Sequence, residues 1–120
     1  MRTDKMEFYR HKGLPVSIQK LHKKGGPYAK AASAVLALIG NIEIKNDAAL
    51  SHLKVTDNGE ARIPHCIKYG LTGGCRLVTV QKKGHCFLLY AGSHDDVDKW
   101  LNSNKGKQFA VDADQKIVEV

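Results

Sequence analysis

No stretch of the 120-residue chain approaches the ~20 apolar residues that a membrane-crossing helix needs. The opening Met1-Arg2-Thr3-Asp4-Lys5 has no apolar core of the kind a signal peptide carries. Cysteine is scarce and odd in number: Cys66, Cys75 and Cys86 form no C-x-x-C pair, and all three fall in expected strands. A free cysteine there is usually a small buried apolar residue, which points to a reducing compartment. A cytoplasmic protein without membrane attachment is therefore expected. Acid is missing in two places. From Ala61 to His94 there are five Lys or Arg residues and no Asp or Glu, and from Arg10 to Lys30 no acid interrupts Lys12, Lys20, Lys23 and Lys24. With no internal repeat, linker or low-complexity segment, residues 1–120 read as one domain with a single modest core.

What is present is positive charge. Nineteen Lys and Arg against twelve Asp and Glu leave a formal charge of +7. A small sheet carrying basic side chains and histidines but no carboxylate suits an anion, and nucleic acid is the commonest large one. A solvated basic surface with no such partner has the same composition.

Local signals order the elements. Met6–Arg10 is short, apolar and aromatic enough for a first strand. Gly13 and Pro15 break the chain, and Ser17–Lys24 reads as a short basic helix with Val16, Ile18 and Leu21 as apolar contacts. Gly25-Gly26-Pro27 ends it. A second, alanine-rich helix is expected over Pro27–Ile39, with Ala31, Val35, Leu38 and Ile39 on its apolar side and Gly40 as its stop. Asp47–Leu53 suggests a helical turn and Asp57-Asn58-Gly59 a chain reversal. Three strands follow, about Ile63–Leu71, Cys75–Gln81 and His85–Ala91, joined by a Thr-Gly-Gly and a Lys-Lys-Gly turn. Ser93 then caps a helix with Asp95 and Asp96 in its first turn and Val97, Trp100 and Leu101 as its stripe, ending at Gly106. Gln108–Val111 and Lys116–Val120 look like a final strand or hairpin. The class is α+β: an N-terminal strand and helices packed on a mostly antiparallel sheet, in the order β-α-α-β-β-β-α with a short tail.

That order, with Gly74-Cys75-Arg76-Leu77-Val78 opening the central strand and Tyr90-Ala91-Gly92-Ser93-His94 closing the next, resembles the RelE/ParE superfamily of bacterial toxins. In that family a Gly-aromatic-Arg-Leu-Val type of sequence opens the second strand of the meander, and a basic or histidine position follows the third. The resemblance implies a toxin of a toxin–antitoxin system. RelE-like members are metal-independent endoribonucleases that cut mRNA at the ribosome, by attack of the 2′-hydroxyl on the adjacent phosphate. ParE-like members inhibit gyrase instead. Both kinds are held by a cognate antitoxin, and no cofactor is implied.

Metal-free RNA cleavage needs a group to take the 2′-OH proton, a cation for the phosphorane and an acid for the leaving oxygen. Arg76 matches the family's arginine, and a guanidinium can hold two phosphate oxygens without losing its charge. His94 matches the position after the third strand, and an imidazole can give or take a proton near neutral pH. Lys68 would add phosphate binding, and Tyr69 or Tyr90 could stack on a base. Lys20, Lys23 and Lys24, with Lys82 and Lys83 in the strand turn, are candidates for phosphate contact. Lys68 and Arg76 share a sheet face only if an odd number of residues separates paired positions around Gly73; a two-residue turn would oppose them.

The spacing of His65, Cys66, Cys75, His85 and Cys86 does not suit zinc, since adjacent residues in a strand point to opposite faces. Acids at Asp95, Asp96 and Asp98 are expected from the helix dipole alone. Two departures from the family pattern bear on chemistry. Cys75 stands where an aromatic is usual, and His94 is followed by two aspartates instead of further cations. A non-catalytic nucleic-acid-binding module of the same fold is the rival reading, with a ParE-like gyrase inhibitor as a third.

Overall fold

The computed structural model describes residues 6–43, 50, 53–56, 61–114 and 116–119. Its elements run β1 (Glu7–Arg10), α1 (Leu14–Lys24), α2 (Gly26–Glu43), β2 (Lys54–Val55), β3 (Cys66–Gly70), β4 (Cys75–Lys82), β5 (His85–Ser93), α3 (His94–Ser103), β6 (Phe109–Val111) and β7 (Ile117–Glu119). Five strands form one sheet in the order β1-β5-β4-β3-β2, and β6 and β7 form a separate hairpin. Every pairing is antiparallel except β1 with β5. The fold is thus the α+β arrangement read from the sequence, with β2 as an added edge strand.

The sheet has a core on each face. Leu14, Ile18 and Leu21 of α1 and Ala31, Ala32, Val35 and Leu38 of α2 pack on one side over Leu77, Cys86 and Leu88. Val97 and Leu101 of α3, with Phe109 of the hairpin, pack on the other over Val78, Val80, Phe87 and Leu89. Strand alternation produces this division: successive residues of a strand supply opposite cores. It slips once. Val78 pairs with Tyr90 and Thr79 with Leu88, so Leu89 is an extra, bulged residue on β5. Leu89 and Tyr90 consequently face the same side.

Several boundaries move for physical reasons. Pro15 does not break the chain; it sits in the first turn of α1, where no N–H is needed. Val16 is 67% exposed and not an apolar contact. α2 runs through Gly40 to Glu43, because Ile39 and Ile42 still pack on the core. β3 begins at Cys66, since His65 adopts a positive φ of 62°. α3 stops at Ser103, before Gly106, whose N–H instead donates to the Arg62 carbonyl at 2.7 Å. Of the turn expected over Asp47–Leu53, only Leu50 and Leu53 are described, joined by a 3.1 Å backbone hydrogen bond. Asp57-Asn58-Gly59 lies outside the described residues, as does Val120 at the end of the tail. Among the described residues no helix is long and apolar enough to cross a membrane.

Candidate functional site

The β3–β4 connection decides what the sheet presents. Gly70 pairs with Arg76, so five residues centred on Gly73 lie between them, and the Leu71 N–H closes the loop on the Cys75 carbonyl at 2.8 Å. An odd number places Lys68, opposite Val78, on the same face as Arg76. On β5 the partners of Val78 and Arg76 are Tyr90 and Gly92, which join that face. Lys68, Arg76 and Tyr90 are therefore gathered on the α3 side of the sheet.

The loop is also clamped to the helices. Gly73 has a φ of 73°, and a Cβ there would lie 2.7 Å from the Cβ of Pro27. Only glycine tolerates both that backbone and that approach. The contact brings the β3–β4 loop, the α1–α2 junction and the start of α3 together at one end of the sheet. Between them lies an open basin of about 410 Å³, lined by Lys24, Tyr28, Gly73, Gly74, Ser93, His94, Asp95, Asp96 and Lys99.

Ser93 caps α3 by accepting the Asp96 N–H at 3.2 Å. His94, the first residue of that helix, has a side chain 71% exposed, with Nδ1 3.5 Å from Asp95 Oδ1. Arg76 sits opposite Gly92, two residues before His94, at the same end of the sheet. Its guanidinium is half-buried and turned back, with Nη1 donating to the Cys75 carbonyl at 2.9 Å, and it does not line the basin. The two leading candidates are near in the fold but do not converge in this conformation.

Nor is the basin purely cationic. The Asp96 carboxylate accepts a hydrogen bond from Lys24 Nζ at 3.1 Å and stands 3.7 Å from Lys20 Nζ. The Lys24 hydrogen bond is the main influence holding Asp96 below the usual carboxylate range, with Lys20 and the Ser93 cap acting in the same direction against partial burial. The same bond raises Lys24. Burial raises the Tyr90 phenol, and the Asp96 charge adds to this. Tyr90 stacks on Trp100 with centroids 5.4 Å apart, so one ring face is already covered.

The remaining candidates scatter. Tyr69 faces the other core, is 7% exposed, and its hydroxyl accepts from Gln81 Nε2 at 2.8 Å. As a buried core residue it has no face to offer a base. Lys82 and Lys83 lie in the β4–β5 turn, about 20 Å along the strand from Arg76 at ~3.3 Å per residue. Lys23 lines a separate groove of about 490 Å³ between α1 and α2, with Leu14, Ile18, Leu36 and Ile39. Among the described residues no group of three or more His, Cys, Asp or Glu could hold a metal ion.

Three basin residues were not legible beforehand. Tyr28 carries Lys24 Nζ 5.3 Å from its ring centroid, and Lys99 reaches the basin from α3. In the sequence Asp96 reads as a helix-dipole residue, yet it is the partner of two distant lysines. The only local hint was the spacing of Ser17, Lys20 and Lys24, which share one helix face.

No protein-family model matches the chain, and no curated protein matches it. Two solved structures from Helicobacter pylori resemble it. The conserved hypothetical protein HP0894 is 17% identical with a TM-score of 0.48, over 75% of this chain and 96% of its own. The conserved hypothetical protein HP0892 is 19% identical with a TM-score of 0.46, over 77% of this chain and 98% of its own.

Proposed function

We propose that this protein is a RelE-like toxin of the RelE/ParE superfamily, a metal-independent endoribonuclease that cleaves mRNA at the ribosome and is held by a cognate antitoxin. The observation that carries the reading is the β3–β4–β5 register, which groups Lys68, Arg76 and Tyr90 on one face at the end of the sheet where His94 opens α3. In the proposed reaction His94 takes the 2′-hydroxyl proton as that oxygen bonds to the adjacent phosphorus. Arg76 leaves the Cys75 carbonyl to pair with the phosphorane oxygens, a stronger charge-assisted contact than the one it gives up. The P–O5′ bond breaks, the 5′-oxygen takes a proton from water while the His94 imidazolium returns its proton to solvent, and a 2′,3′-cyclic phosphate and a 5′-hydroxyl remain.

A second reading, a nucleic-acid-binding module without catalysis, is favoured by Asp95 and Asp96 in the wall of the basin. Carboxylates there oppose the charge that builds on a phosphorane.

Sequencing RNA 5′ ends after brief induction without an antitoxin separates the two. New ends within codons, reduced ~100-fold or more in Arg76→Ala and His94→Ala, support the nuclease. Intact RNA together with salt-sensitive RNA binding supports the binding module. Intact RNA with induction of the DNA-damage response would point to a ParE-like inhibitor of gyrase and overturn the RNA reading.

A further inference from the structure

We infer that Asp96 is an internal anion that occupies Lys20 and Lys24 and so sets how tightly the basin holds RNA. The inference rests on the RNA-binding reading and adds an acidic residue that limits it. Both lysines approach one carboxylate oxygen, Asp96 Oδ2, at 3.7 and 3.1 Å.

The meeting is built into the fold on both sides. On α1, buried Ser17 accepts the Ala91 N–H at 3.1 Å, which latches the helix to β5. Lys20 and Lys24 lie three and seven residues on, along the same face, and so lean past the end of the sheet toward α3. On α3, the Ser93 cap and the absence of a side chain at Gly92 seat Asp96, whose Cβ would come within 3.3 Å of a Cβ at Gly92. Its side chain is 19% exposed, against 91% for the neighbouring Asp95, which touches neither lysine. The opposite shifts of Asp96, lowered, and Lys24, raised, agree with a pair made in the folded state.

A phosphodiester carries the same single charge as this carboxylate and competes for the same ammonium groups. Two lysines and one aspartate leave a single net positive charge at this spot. Asp96→Asn keeps the shape and the backbone cap and leaves two.

Binding of a fluorescein-labelled uridine dodecamer, followed by anisotropy across about 0.05–0.3 M NaCl, tests this. Each freed lysine adds ~0.7 to the salt slope on a single strand, or ~5-fold in affinity at ~0.1 M salt. Asp96→Asn is expected to bind ~5- to 25-fold more tightly than wild type, with a steeper slope. Asp96→Glu, which keeps the charge, should stay near wild type, and Asp95→Asn should gain no more than ~2-fold. Adding Lys20→Gln and Lys24→Gln to Asp96→Asn should erase the gain. The same lysine pair changed in the otherwise wild-type chain leaves Asp96 unpaired, a net negative charge in place of a net positive one. It should weaken binding, but by less than in Asp96→Asn, where no carboxylate occupies the two lysines.

If wild type binds the oligomer but Asp96→Asn gains no more than Asp95→Asn, the inference falls while the RNA reading stands. A loss from the lysine pair as large in the wild-type chain as in Asp96→Asn overturns it as well. If neither wild type nor Asp96→Asn binds, both fall.

Discussion

Replacing Ser17 by alanine probes the joint on which the candidate site depends. Ser17 is 4% exposed, and its hydroxyl donates to the Leu14 carbonyl at 2.7 Å while accepting the Ala91 N–H at 3.1 Å. The first bond is of little consequence, because that carbonyl faces its own helix. The second is not replaceable locally: Ala91 is 1% exposed, and its N–H would be stranded among apolar groups. A buried donor without a partner costs about 1–3 kcal/mol, a large part of the ~5–15 kcal/mol that holds a domain together. For a chain of this size that corresponds to a fall of roughly 4–12 °C in Tm. Urea unfolding followed by far-UV circular dichroism should show a lower midpoint with an unchanged slope. Loosening α1 should also weaken the Lys24–Asp96 contact, moving RNA affinity toward that of Asp96→Asn. A loss under ~0.5 kcal/mol would refute the argument, because the Ala91 N–H would then have another acceptor.

Two further tests address the core. Gly40→Ala should raise stability by ~0.5–1 kcal/mol in the same urea assay, since Gly40 lies inside α2 with open space where a Cβ would project; a loss would mean that α2 ends earlier than Glu43. Burial pushes the Cys86 thiol up to about 12, so the folded chain keeps this proton where the unfolded chain, with an ordinary thiol near ~8.5, releases it. Stability from this group is complete below ~8.5 and falls as pH rises toward 12, by up to ~1.4 kcal/mol per pH unit. Cys86→Ala should lose that part of the pH dependence between about pH 9 and 10.5, and equal slopes in the two proteins would contradict the burial.

The elements that were legible in the sequence rest on neighbours along the chain. The Ser93 cap, the paired turn at Lys83-Gly84 and the alternation through β3, β4 and β5 need nothing distant to form. The misread boundaries are those where packing outweighs local preference. Gly40 is a helix stop in isolation, but Ile42 beyond it has core to cover. Pro15 breaks a strand or a helix interior, but not a first turn. The parallel pairing of β1 with β5 has no local signature, because the two strands are joined only through the rest of the molecule.

For the candidate site the division is sharper. Composition and spacing alone established a basic chain, a three-stranded meander and a capped helix carrying His94. Alternation within each strand followed from the backbone, which turns successive side chains to opposite faces. Tertiary structure decided the rest, because charges and faces on separate elements are related only by how loops close and helices dock. The five-residue closure around Gly73 gathered Lys68, Arg76 and Tyr90 on one side, and the latch of α1 on β5 brought two lysines onto Asp96.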